Sequence, residues 1–363
     1  MPLHPLMGHH RIRSRFARAA AAGKLPQVIL LTGPAGVGKQ RLALWLAQLL
    51  LCERPDQEPC GHCRACKLVG ACSHPDLHWF IPIPRPKASD PDKQVEEASQ
   101  VLAQVIEERR GQPLYAETDG MASHGIAMVR LLQRRAALTP VEGGNRIFII
   151  GEADRLVAQE ASPEAANALL KLLEEPPAGS FFILTTVEPR RLLPTVRSRA
   201  ASVRLGRLSD AEVREFFQNH LKPAPSAEKL DERVALAEGS IGRALTTGEE
   251  AGKAQQAAYQ LLEAVLGGPG PSFERAIRQP PWSARGEFTA MLDALAETLG
   301  EAARGTVGGS PRRPIPEALL RHHSPARLLE AMAHVADARE AAWGNVNPQI
   351  LLAVLGDELA EVL

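Results

Sequence analysis

The chain has 363 residues, 42 basic and 42 acidic side chains, and an aromatic content of only 4%. Its length suits two or three domains with a sizeable core, while zero formal charge and few aromatics argue against an unaided grip on duplex or single-stranded DNA. No run approaches the roughly 20 apolar residues that a bilayer span requires, since the longest candidate, Leu42 to Leu51, contains Gln48; a cytoplasmic protein is expected.

The first 24 residues are arginine-rich and free of acids, a composition shared with transit peptides. They lead straight into an apolar run, Val28 to Thr32, and are read as the first helix of a domain. Behind that strand comes Gly33-Pro-Ala-Gly-Val-Gly38-Lys39-Gln40, followed by helical spacing of Leu, Trp and Ala to Leu51. Strand, glycine-rich loop and helix are the context of a phosphate-binding loop. Gly33, Gly36 and Gly38 let the backbone curl so that its N–H groups face an anion, and Lys39 supplies a cation to phosphate oxygens. The match to G-x-x-x-x-G-K-[ST] fails only at its last position, where Gln40 replaces the hydroxyl that normally binds Mg²⁺.

All the cysteines fall between positions 52 and 72. Cys52, Cys60, Cys63 and Cys66 form C-x7-C-x2-C-x2-C, whose spacing lets one loop wrap a tetrahedral ion, and four thiolates suit a closed structural zinc site. Iron–sulfur is the rival, but Gly70 and Ala71 stand where a ferredoxin motif wants cysteine and proline. Reduced, unligated cysteines are the other alternative. Cys72 is read as a spare thiol, with His62 and His74 as substitute ligands. Residues 81–125 open on a proline-rich stretch and continue into a charged helical pattern, Asp92 to Arg110; a solvated surface insertion is expected.

A second strand, Arg146 to Ile150, runs into Gly151-Glu152-Ala153-Asp154, so glycine stands where a metal-holding aspartate belongs. Two losses at distant points remove the same ion, and hydrolysis should fall by orders of magnitude. A helix is predicted from about Pro163 to Glu175, stopped by Pro176-Pro177. It is followed by a buried strand, Phe181 to Thr185. Glu152 and Thr185 join Gly33, Gly36, Gly38 and Lys39 as residues of a vestigial nucleotide site. Arg197-Ser198-Arg199-Ala200 then presents arginines able to reach a neighbouring phosphate, and Arg243 opens a helix from which it could face nucleotide. Beyond Gly206 the chain reads as helical. The expected fold is an α/β P-loop domain, a parallel sheet with helices on both faces, over residues 1–205. A small helical lid over 206–250 and an all-α bundle over 251–363 follow.

The run Asn167-Ala-Leu-Leu-Lys-Leu-Leu-Glu-Glu-Pro-Pro177, its Phe-Phe-Ile-Leu-Thr-Thr strand and the Ser198-Arg199 dipeptide resemble the AAA+ clamp-loader subunits of bacterial DNA polymerase III. The four-cysteine insert is similar to one in the same group. The likeness covers about positions 5 to 80 and 128 to 245. It implies an AAA+ core, a lid, and a collar that joins gamma/tau and delta subunits in a five-membered ring loading the sliding clamp onto primed DNA. By match to the family's Ser-Arg-Cys motif, Arg199 would be the finger completing a neighbour's ATP site, with Ala200 replacing the motif's cysteine. The defective loop points to a non-hydrolysing stator within a DNA-directed DNA polymerase (nucleotidyltransferase) assembly, for which ATP binding by this chain is doubtful. The alternatives are an ATP-hydrolysing gamma/tau-type motor using Glu152 and Asp154, and a zinc-bearing nucleic-acid adaptor.

Overall fold

The computed structural model describes residues 5–111, 122–142, 144–157, 164–221, 226–246, 249–281, 286–309, 315–316, 319, 324–342 and 346–363. Apolar β-rich runs form β1 (Val28–Thr32), β2 (Leu77–Phe80), β3 (Arg146–Ile150), β4 (Ser180–Thr186) and β5 (Ala201–Arg204). They pair in parallel in the order β2-β3-β4-β1-β5. Every residue of β1 and β3 is buried, as parallel strands covered on both faces require. Leu31 pairs with Thr185 and Ile150 with Leu184. The segments leaving β1, β3 and β4 therefore emerge side by side at the carboxyl edge, where open α/β sheets bind ligands.

Around the sheet lie α1 (His10–Ala21), α2 (Lys39–Leu51), α3 (Arg64–Gly70), α4 (Pro91–Gly111), α5 (Ile126–Ala137), α6 (Glu164–Glu174) and α7 (Pro194–Arg199). α2 buries Leu42, Leu44, Leu46 and Leu49, while Phe148 of β3 stacks on Phe182 of β4 with ring centroids 4.9 Å apart. Phe16 of α1 is buried in the same core, so this arginine-rich helix is an integral part of the domain. The expected start of α6 at Pro163 lies outside the described residues. Leu169 and Leu173 are buried, as their spacing predicts.

The expectation of a solvated insertion over 81–125 needs correction. Asp90 caps α4 by accepting from the N–H groups of Asp92 and Lys93 at 3.0 and 2.9 Å, just ahead of Pro91 at the first turn. Val95, Ala98 and Leu102 then enter the main core together with Ile81 and Ile83. Apart from buried Arg109, the charges occupy the outer side of the helix and hide the three-to-four-residue spacing of its apolar stripe. The part of this segment at 112–121 lies outside the described residues.

Within the same compact unit, Met1–Leu245, α8 (Asp210–His220), α9 (Ala227–Ala237) and α10 (Ile241–Thr246) enclose a separate small core. Phe216, Phe217, Val213 and Val234 form its centre. α8 begins with a reciprocal capping box between Ser209 and Glu212. A second unit, Thr246–Leu363, contains α11 (Glu249–Leu266), α12 (Pro269–Ile277), α13 (Glu287–Thr306), α14 (Pro325–Ala341) and α15 (Pro348–Val362). Its core joins Leu261, Leu292, Leu299, Val335 and Leu352. Gly268 precedes α12, which begins with proline in its first turn. No described helix is long and apolar enough to cross a membrane.

Candidate nucleotide pocket and metal centre

β1 ends at Thr32 and the glycine-rich loop carries the chain into α2. Gly33, Gly36 and Gly38 have φ of 145°, 70° and 99°, values that side chains disfavour. The loop is enclosed by its own protein. Lys39 is 7% exposed, and its ammonium donates to the carbonyls of Gly33 at 2.9 Å and Pro34 at 2.7 Å. Burial pushes its pKa down to about 8, opposed by the nearby Asp154 and Glu152 carboxylates. On one side the ring of His9 donates to Val37 O at 2.8 Å. On the other, Ser240 donates to Ala35 O at 2.9 Å, and the Gly242 N–H donates to Gly36 O at 3.0 Å.

The two positions that lack metal ligands meet in space. A Cβ added to Gly151 would lie 2.9 Å from Nε2 and 3.2 Å from Cδ of Gln40. The Gln40 amide therefore fills the room that an aspartate at 151 would need. Glutamine and glycine are complementary, as sequence alone could not show. Arg109 of α4, 6% exposed, donates to Gln40 Oε1 at 3.4 Å, and buried His124 donates to Gly151 O at 2.6 Å. Neither residue belonged to a recognisable motif.

The remaining candidates are turned toward the protein itself. Glu152, at φ 50°, pairs with Arg155 at 3.0 Å, and its N–H donates to the Thr185 hydroxyl at 3.2 Å. Asp154 accepts from Thr186 at 2.5 Å, and burial raises its pKa. Arg243 pairs with Glu238 at 3.2 Å, a carboxylate that Arg207 also engages at 2.7 Å. Arg199 ends α7 and is half-buried; it pairs with Glu174 of α6 and donates to Thr195 O at 2.8 Å. That ion pair connects the two halves of the sequence signature from Asn167 to Arg199.

Cys52 closes α2, Cys60 lies in the following loop, and Cys63 caps α3, which carries Cys66. Their four sulfurs lie within 4.8 Å of one another. The Cys60–Cys66 and Cys52–Cys63 pairs are 3.9 and 4.0 Å apart. A tetrahedral site with metal–sulfur bonds of about 2.3 Å has edges of about 3.8 Å, so the group fits one ion. Backbone N–H groups of Cys60, Cys63 and Cys66 donate to the sulfurs of Cys52, Cys60 and Cys63 at 3.4, 3.4 and 3.3 Å. Such bonds favour thiolate, and those from Cys63 and His62 hold the Cys60 thiol down at about 6. These four cysteines can hold a metal ion. His62 and His74 stand apart from the cluster: His62 Nδ1 bonds Cys60 O at 2.6 Å, while His74 lies 3.3 Å from Glu142. Cys72 is likewise absent from the cluster among the described residues.

A parallel sheet carrying a glycine-rich loop, with a small helical subdomain bonded to that loop, defines a P-loop protein of AAA+ type. Residues 8–209 match the family described as DNA polymerase III, delta subunit, and the chain belongs to it. It is 28% identical over 354 residues to DNA polymerase III subunit delta' of Escherichia coli, covering 95% of this chain and 92% of that one. Similarity to the delta' subunit of Pseudomonas aeruginosa reaches 33% over 212 residues, covering 58% of this chain and about half, 52%, of the relative. The gamma/tau subunit of Mycobacterium bovis is 30% identical over 195 residues, 53% of this chain and 27% of that protein.

Proposed function

We propose that this chain is a non-hydrolysing stator of the DNA polymerase III clamp loader. It would help load the sliding clamp onto primed DNA without turning over ATP itself. The observation that carries the reading is the Gln40 amide standing against Gly151. The two oxygen donors that would anchor Mg²⁺ are replaced by an amide and a hydrogen atom, so phosphoryl transfer lacks its main charge-stabilising ion. The gamma/tau and delta subunits are its partners in a five-membered ring, with the lid over 206–250 and the collar over 251–363 as assembly elements. Arg199 acts in trans as an arginine finger on a neighbouring gamma/tau subunit. To engage, it leaves Glu174 for the neighbour's γ-phosphate. The four-cysteine site holds structural zinc, and the complex works in the cytoplasm.

Reconstitution tests this. The purified chain is mixed with gamma/tau, delta, clamp and primed DNA, and clamp loading and ATP turnover are measured. Wild type supports loading; Arg199→Ala lowers it by at least about tenfold, given the 10³–10⁵-fold range of measured fingers. Unchanged ATP turnover in the assembled Arg199→Ala complex would remove the finger assignment.

A further inference from the structure

Gln40 and Gly151 are joined by a third residue. α4 carries Arg109 to the carboxyl edge of the sheet, where its guanidinium is buried and donates to Gln40 Oε1 at 3.4 Å. It lies 5.8 Å from the centroid of the Trp79 ring and within electrostatic range of the Glu152 carboxylate. The other end of the same Gln40 amide packs against Gly151. Arginine remains protonated even where burial lowers its pKa. A permanent positive charge therefore contacts Gln40, the side chain that itself packs against Gly151, the second position from which a P-loop enzyme holds its divalent ion.

Burying a guanidinium is costly unless its surroundings compensate. Here compensation comes from an amide oxygen, an aromatic face and the Glu152 carboxylate, partly offset by the nearby Arg155 cation. The same charge repels a second cation brought into that low-dielectric corner. Position 40 is suited to the arrangement: a serine or threonine side chain is too short to bridge between α4 and Gly151, whereas glutamine contacts both.

We propose that Arg109 is the resident cation of this pocket, holding Gln40 against Gly151 and keeping a divalent ion out even when both protein ligands are restored. The inference rests on the reading of the pocket as metal-free and adds the agent that keeps it so. Residues 40 and 151 can be returned to metal-binding types, but an aspartate at 151 then pairs with Arg109 instead of with magnesium.

The test uses the full chain as wild type, R109Q, Q40T/G151D and Q40T/G151D/R109Q. Each is titrated with ATPγS in magnesium and in EDTA, and hydrogen exchange is followed in the last turns of α4. In Q40T/G151D, magnesium changes nucleotide affinity by less than about twofold, while the new ion pair slows α4 exchange by at least about threefold; adding R109Q abolishes that slowing. Exchange that is equally slow without Arg109, or tenfold or greater magnesium-dependent tightening with Arg109 still present, overturns the proposal. Efficient ATP turnover by wild type would instead refute the stator reading, so the two failures are distinguishable.

Discussion

Gly36→Ala probes the enclosure of the phosphate loop by its own subdomain. Gly36 has φ 70°, and a methyl group there would collide with the Ser240 hydroxyl while lying 2.8 Å from Gly242 Cα and 2.9 Å from Arg243 N. Left-handed backbone costs a non-glycine residue about 1 kcal/mol. Relieving the collision also breaks the Ser240–Ala35 and Gly242–Gly36 hydrogen bonds, at about 1 kcal/mol each. The sum, about 3 kcal/mol, corresponds to roughly a hundredfold more frequent local opening. Hydrogen exchange read by mass spectrometry over residues 30–40 and 239–246 measures it directly, and β3 serves as the internal control. An increase below about threefold, less than about 0.7 kcal/mol, would refute the reasoning.

His124 gives a pH prediction. Burial lowers its pKa from 6.5 to about 4, so between those values the unfolded chain binds a proton that the folded chain refuses. Stability is full above pH 6.5 and falls as pH drops toward 4 by up to about 3 kcal/mol; urea unfolding of His124→Gln, which keeps a donor toward Gly151 O, should show a shallower acid loss in that window. Zinc analysis of the purified chain should give about one equivalent, and Cys63→Ser should lower both metal content and thermal stability without altering nucleotide behaviour. Less than about half an equivalent would count against the thiolate site. Glu174→Ala, which releases Arg199 from its resting partner, should leave clamp loading within about threefold of wild type, since exposed ion pairs contribute little; a loss as deep as that of Arg199→Ala would make Glu174 an essential positioning residue.

Local chemistry made much of this protein readable. Glycines at the turn after Val28–Thr32, an apolar strand before Gly151, and prolines after Glu175 are strong punctuation, and the elements begin and end within a residue or two of them. The cysteine spacing carried its own geometry because all four thiols lie between the end of α2 and the short α3. β2, at Leu77–Phe80, was hidden because four residues bearing a histidine give little periodicity. Arg109 was hidden more deeply. In sequence it is one charge among many on a polar-looking helix, and only tertiary packing takes it 69 positions back to Gln40. The complementarity of Gln40 and Gly151 likewise exists only across the sheet edge.

The most direct measurement is equilibrium titration of the purified chain with magnesium-ATPγS, paired with phosphate release from ATP. No saturable magnesium-dependent site and no turnover above that of Lys39→Ala are expected. Stoichiometric binding that requires magnesium, together with phosphate release abolished by Lys39→Ala, would contradict the account.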